Sequence, residues 1–295
     1  MGLFSKLFGK KKEVNNVRSR KDQPEVFDVK DKDEAMNWAM EKSRLTLHYF
    51  EESLKTPHPS QQYFSVKARI EDAGMIEHIW LTEPSFDEVG NLFGVVGNEP
   101  IDVRNVKFNQ KIGIDNSMVS DWMIIENGRL IGGYTIRVVR DRLSGQELQN
   151  FDKGLGGIHV DHGEDYFMAD DSTPEGAIVK IEQAYKEKNL EKVISCKSFR
   201  AEAIKMLEKL GKTNLDGEII DKTTELLELS FIQSIRENGM PTFTHVKQSF
   251  PAREKVSENH MIITEVCYYN DGGTSIQRLN TYKSEDGWKV MDPES

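Results

Sequence analysis

Apolar residues return at helical spacing just after residue 33 and switch to a period of two by residue 63. Asp33 is placed to cap a helix, and Met36, Met40, Leu47, Phe50 and Leu54 then recur at steps of three, four or seven, which predicts one helix with one buried face. Thr56-Pro57-His58-Pro59 ends it, because a residue before proline is pushed out of the helical region. Tyr63 to Ile70 alternates, Asp72-Ala73-Gly74 turns the chain, and Ile76 to Leu81 pairs back as a hairpin. Asn91 to Val96, Lys111 to Asp115 and Val119 to Glu126 read as further strands of a small, mostly antiparallel sheet. Asn127-Gly128 is a turn and Gly132-Gly133 a break. Tyr134 to Leu143 then reads as a last strand or a short closing helix, the helix being favoured.

A second periodic region opens at Ser172-Thr173-Pro174-Glu175, where Ser172 and Glu175 read as a capping box and Pro174 suits the first helical turn. Ile178, Ile181 and Tyr185 form a stripe; Val193, Ile194, Phe199, Ile204, Leu207 and Leu210 predict further short helices. A longer helix from about Glu218 to Glu237 is expected to bury Ile219, Ile220, Leu227, Phe231 and Ile235 and to stop at Asn238-Gly239. Thr242 to Phe250, His260 to Tyr269, Ser275 to Lys283 and Trp288 to Met291 then alternate as four strands, the last three joined by tight turns. Helices followed by an antiparallel meander predict an α+β unit with helices packed on one sheet face. At 295 residues two domains are the default. The expected division is a basic flexible tail over 1–32, a helix-plus-sheet domain over 33–143, an acidic Gly-containing linker over 144–171 and a second domain over 172–295.

The net charge of -10 argues against a nucleic-acid surface on the whole molecule. Residues 1 to 21 run the other way, with seven Lys or Arg against the single acid Glu13. Leu3, Phe4, Leu7 and Phe8 share one side of a short helix there, so residues 1–12 could touch an anionic membrane surface or act as a solubilising tail. No run approaches the roughly 20 apolar residues of a spanning helix, and the expected compartment is the cytoplasm. Cys196 and Cys267 sit in no metal-ligand spacing and read as reduced thiols.

Candidate chemistry is sparse. Glu77, His78 and Asp121 form the nearest thing to an acid–base set, although alternation puts His78 on a face with Ile76 and Trp80 and Glu77 on the other. Trp80, Trp122, Tyr134 and Arg137 read either as anchors of a binding surface or as core. His159, Asp161 and His162 are the metal-like group of the linker, without the ligand count of a specific site. Gly154-Leu155-Gly156-Gly157 lacks the strand-turn-helix setting of a phosphate cradle and has acidic flanks. No metal or other cofactor is expected.

Four segments in order carry a resemblance: Tyr63-Phe64-Ser65-Val66-Lys67, Glu77-His78-Ile79-Trp80-Leu81, Gly94-Val95-Val96-Gly97-Asn98-Glu99-Pro100, and Ser120-Asp121-Trp122-Met123 with Gly132-Gly133-Tyr134-Thr135. On these, residues 33 to about 143 resemble the bacterial YegJ-like domain of unknown function. The resemblance implies a small α+β domain, sometimes fused to others, with no assigned activity and no catalytic residues to transfer. Residues 172–295 are similar to the nuclear transport factor two-like superfamily in element order and in the closing Asp286-Gly287-Trp288-Lys289-Val290. That similarity implies a curved sheet wrapped by helices into a cone, in a superfamily of enzymes, dimerisation modules and binding modules. Tyr185, Phe231, Tyr268, Tyr282 and Trp288 would line the cone's pocket or fill it as core, with Cys267 or His245 as a polar point. Glu265 is the acid set well inside a predicted strand there. The expected function is non-catalytic binding of a protein partner, an accessory or immunity-like role being one form, with self-association open to the C-terminal domain. The alternative is a small-molecule-binding protein or enzyme using the C-terminal cone.

Overall fold

The computed structural model describes residues 17–18, 26–27, 33–212, 215–243 and 246–291. Its contacts divide the chain into two compact units, at Glu164/Asp165. Before the first unit's main body, β1 (Val17–Arg18) pairs antiparallel with β2 (Val26–Phe27).

In the first unit α1 (Glu34–Leu45) and α2 (Leu47–Lys55) lead into β3 (Gln61–Asp72), β4 (Met75–Phe86), β5 (Leu92–Val96), β6 (Lys111–Ile114), β7 (Val119–Glu126) and β8 (Arg129–Gly132). These six strands form one antiparallel sheet in the order β6-β5-β4-β3-β7-β8. Asp33 caps α1 by accepting from the Met36 N–H at 3.1 Å. The single helix expected over residues 33–55 is instead two, broken at Thr46, whose hydroxyl accepts from the Trp122 indole at 3.2 Å. The fully buried indole needs an acceptor, and it donates to the Ser43 carbonyl of α1 at 3.0 Å as well as to Thr46 at the break.

The residues of β3, β4 and β7 that point towards α1 and α2 are Val66, Ala68, Ile79, Leu81, Trp122 and Ile124, all buried, and they pack with Met36, Leu47 and Phe50. The opposite face is covered near β8 by a second cluster of Trp80, Met123, Ile125, Leu130, Leu155 and Val160. Leu155 and Val160 belong to the span expected to be a linker, and they are ordered against this unit. Residues Gly145–Gly154 form helix α4, and His159 makes a parallel bridge to Arg129 on the free edge of β8. Leucine and valine spaced along an acidic, glycine-rich stretch found a sheet face to cover.

The stretch after Gly133 is helix α3 (Tyr134–Asp141), the favoured of the two sequence readings. Residues 129–132, not expected as a strand, form β8 because the Asn127-Gly128 turn returns them along β7. Both Gly132 and Gly133 have positive φ, 66° and 62°. A Cβ on Gly132 would lie 2.5 Å from the Trp122 ring and from its carbonyl oxygen.

In the second unit α5 (Pro174–Lys186), α6 (Leu190–Cys196), α7 (Phe199–Lys209) and α8 (Gly217–Asn238) precede β9 (Lys247–Ser257), β10 (His260–Tyr268), β11 (Thr274–Ser284) and β12 (Gly287–Met291). The strands form an antiparallel meander, β12-β11-β10-β9, so this unit too is α+β. α5 packs on β10, β11 and β12. Its N-cap is Thr173, accepting from Gly176 N–H at 2.9 Å, rather than the expected Ser172. β9 runs past Phe250 to Ser257 through Pro251, which an edge strand tolerates because its missing N–H is not needed on the open side.

α8 departs most from expectation. Of its apolar residues only Ile220 is buried, while Ile219, Leu226 and Leu229 are 43%, 67% and 56% exposed. Its principal neighbour is α7.

Gly132→Ala should destabilise the first unit by roughly 2–5 kcal/mol, combining the left-handed backbone cost with overpacking against Trp122. Thermal melting followed by near-ultraviolet circular dichroism of the tryptophans measures it; a variant that melts with the wild type contradicts this account of the turn.

Candidate functional site

Each unit buries several ionisable side chains, Lys42, Glu77 and Asp121 in the first and Glu175, Glu182, Lys197 and Glu265 in the second. In the first, β7 carries a bulge beside Asp121. Lys67 of β3 pairs with Asp121 and the next residue, Ala68, pairs with Val119, so Ser120 is the extra residue. Alternation from Trp122 puts Asp121 on the face of Lys67, and the bulge beside it returns Val119 to the face of Ala68. Asp121 is fully buried, and its carboxylate accepts from the backbone N–H groups of Trp122 (2.9 Å), Tyr134 (3.0 Å) and Thr135 (2.8 Å), and from the Thr135 hydroxyl (2.5 Å). It thus caps α3 from a neighbouring strand, a favourable place for a negative charge. Burial pushes the Asp121 carboxyl up, against the Thr135 hydroxyl and the charge of Lys67; burial likewise pushes the Lys67 ammonium down, against Asp121.

Glu77 is turned to the other face of β4, as alternation requires. Its carboxylate accepts from the backbone N–H groups of Ile101, Asp102 and Val103, the nearest at 2.8 Å. Glu77 therefore pins the loop after β5. His78 lies opposite Arg69 on the Lys67 face, and its pKa falls to about 4, first through burial and then through the charges of Lys67, Arg69 and Arg44. The expected acid–base set of Glu77, His78 and Asp121 is thus split by the strand, and both carboxylates are held by backbone donors.

Of the two readings left open for the aromatic set, the burial is that of core. Trp122, Tyr134 and Trp80 are buried, at 0%, 4% and 7% exposure. Trp122 and Tyr134 meet edge to face at 5.6 Å. Arg137 donates to the carbonyls of Gly132 (3.0 Å), Leu130 (2.7 Å) and Asp161, stitching α3 to β8 and to the stretch after α4. These four residues build the interior. Asp161 in turn accepts from Arg129 and from the Gly163 N–H at 3.0 Å. Burial works to raise its pKa, but Arg129, Gly163 and Arg137 outweigh burial and hold it below the usual carboxylate range. Asp161 is therefore the counter-ion of two arginines, and among the described residues no group of three or more His, Cys, Asp or Glu side chains is placed to hold a metal.

In the second unit Glu265 is fully buried on the inner face of β10. The side-chain amides of Gln248 on β9 and Gln277 on β11 both donate to it. Glu182, 6% exposed, comes down from α5 to share a hydrogen bond with Glu265. Its pKa rises to about 9, through burial first and then the charge and hydrogen bond of Glu265. Cys267, beside them, rises to about 12 through burial and the same two acids. Two carboxyls this close cannot both ionise, so the pair holds one proton at neutral pH. Glu265 was visible as a strand acid; Glu182 was missed, although it interrupts the apolar stripe of Ile178, Ile181 and Tyr185.

The five residues expected to line a cone pocket do not converge. Register places Trp288 on the Glu265 face, whereas Tyr268 and Tyr282 lie on the opposite face. Tyr185 stacks on Phe243 at 5.9 Å, and Phe231 of α8 meets Phe199 at 5.6 Å. His245 lies outside the described residues, as do residues 1–12. Among the described residues no helix is long and apolar enough to cross a membrane.

Residues 33–158 match the model of a family described as an uncharacterized protein conserved in bacteria, DUF2314. The first unit is similar to that family over these residues. The match runs beyond Leu143 and takes in α4 and Leu155, as the packing does. An uncharacterized Escherichia coli K12 protein, YegJ, is 42% identical over 73 residues, covering 25% of this chain and 47% of that protein. A Neisseria meningitidis protein described as an ankyrin repeat protein is 26% identical over 204 residues, 65% of this chain and 76% of its own. A solved structure described as an NTF2-like transpeptidase from Campylobacter jejuni covers 41% of this chain and 100% of its own, at 14% identity and a TM-score of 0.22. At that score the likeness adds nothing to the fold argued from the elements.

The raised pKa of Glu182 makes a signed prediction. From its ordinary value of 4.5 up to about 9 the folded chain holds a proton that the unfolded chain has released. Stability therefore falls as pH rises through that window, by at most about 1.4 kcal/mol per pH unit. Glu182→Gln, which cannot lose a proton, should melt higher than wild type at pH 8, with the difference closing towards pH 4.5; melting curves across pH check both ends.

Proposed function

We propose that this chain is a binding protein whose second unit presents α8 to a partner protein carrying a basic amphipathic segment. The observation that carries the reading is α8 itself, a 22-residue helix with Leu226 and Leu229 more than half exposed. A helix that is apolar on two faces but covered on one has a face left for something else. Met206 of α7 and Leu210 just after it are also exposed, at 47% and 65%. Asp221, Thr224, Glu225, Glu228 and Leu229 line a depression along α8, so an apolar row is bordered by acids. That combination favours an amphipathic helix with lysine or arginine on its flanks. The Neisseria relative's name points the same way, since ankyrin repeats form concave binding surfaces. The split of Glu77 from His78 gives catalysis in the first unit no support.

A second reading, a small-molecule site in the C-terminal unit, draws on the Glu182–Glu265 pair, which holds a proton at neutral pH as acid–base groups do.

A photocrosslinking residue placed at Ser230, on the full chain in its native host, tests the first reading. A stoichiometric protein crosslinked through α8, and lost on Leu226→Glu with Leu229→Glu but kept by Glu182→Gln, is the expected result. Loss with Glu182→Gln alone favours the second reading, and crosslinking only to a second copy of the chain makes α8 a self-association face.

A further inference from the structure

On the face of β3 and β4 that carries Lys67, the chemistry points to a ligand rather than to packing. We infer that His78, Arg69 and Lys67 form a binding site for one small oxyanion group, a phosphoryl or carboxyl group carried by a ligand of the first unit. This site is independent of α8 and of the partner proposed for it.

Arg69 lies directly opposite His78 across the β3–β4 ladder, and Lys67 directly opposite Trp80. All four side chains share one face, with His78 and Lys67 as diagonal neighbours. His78 Nδ1 is buried and has no hydrogen-bond partner. The Lys67 ammonium lies 5.6 Å from the centre of the Trp80 ring and donates to Thr135 Oγ1 at 3.5 Å, with no other acceptor among the described residues. A buried ammonium with one long hydrogen bond retains donors for an incoming oxygen. Arg44, reaching from α1 to the Val119 carbonyl at 3.3 Å, adds a third positive charge to the field at His78.

Two acids oppose these charges. Asp121 pairs with Lys67 across β3–β7, but its oxygens are already engaged by the backbone and hydroxyl donors of α3 and Trp122. Glu71 bonds Arg69 at 2.8 Å with both side chains about half exposed, an ion pair that an entering anion can exchange. Around His78 the field is therefore positive, and it adds to burial in keeping the imidazole neutral. An oxyanion seated there would reverse that field, accept from Arg69 and Lys67, and allow His78 to take a proton and donate from Nδ1. The site lies near the β3–β4 hairpin, where the exposed Ile76 continues the same face.

The test is the titration of the His78 imidazole by NMR in the full chain, assigned with His78→Gln, in chloride, inorganic phosphate and acetate at matched ionic strength. Phosphate or acetate should raise the His78 midpoint by about one pH unit relative to chloride. A response to phosphate alone makes the group a phosphoryl, and a response to acetate alone a carboxyl. Arg69→Gln, at a side chain 42% exposed and so compatible with folding, should abolish most of the rise. An equal midpoint in all three salts, or an undiminished rise in Arg69→Gln, overturns the site.

Discussion

The first unit depends on one buried carboxylate. Asp121 lies in the strand beside the centre of its sheet, and every hydrogen bond it accepts comes from its own neighbour Trp122 or from the first turn of α3. An ionised group taken out of water is held only where donors replace the lost hydration. Here they come from the helix terminus, whose N–H groups would otherwise lack partners. The carboxylate thus fixes where α3 begins, and α3 carries Arg137, whose guanidinium holds β8 and the stretch after α4. The glycines between β8 and α3 let the chain pass close enough to Trp122 for that cap to form.

A second consequence of the same arrangement is that charge in this domain accumulates on one sheet face. Alternation along β7 puts Asp121 on the side of Lys67, Arg69 and His78, leaving the other side to Trp122, Phe50 and the aliphatic core. Glu77 is the exception on that apolar side, where three backbone N–H groups receive it. In the second unit the inner face instead buries two acids together. A like-charged pair keeps a proton between them, and two glutamine amides complete its hydrogen bonding.

Much of this architecture was legible along the chain. Period-two runs marked β3, β4, β7 and the final meander, and Asp33 and Gly239 marked helix ends, because these signals are local. The break of the first helix at Thr46 was not, since the residue that packs there, Trp122, is distant in sequence. Residues 144–171 read as linker because acids and glycines run through them; the apolar side chains that dock on Trp80 and Met123 carry no period. The tryptophans were open to either reading until burial settled them as interior.

The sequence by itself determined the α+β class, the two periodic regions and the strand parity that separates Glu77 from His78. Each follows from the geometry of one segment. Only the tertiary structure decided that Asp121 caps a helix, that Glu182 meets Glu265, that Tyr268 and Trp288 face apart and that α8 leaves an apolar face uncovered. Those outcomes rest on strand register and on packing between segments far apart in the chain. A hydrophobic pattern records that a residue wants burial, but not whether a neighbour arrives to bury it.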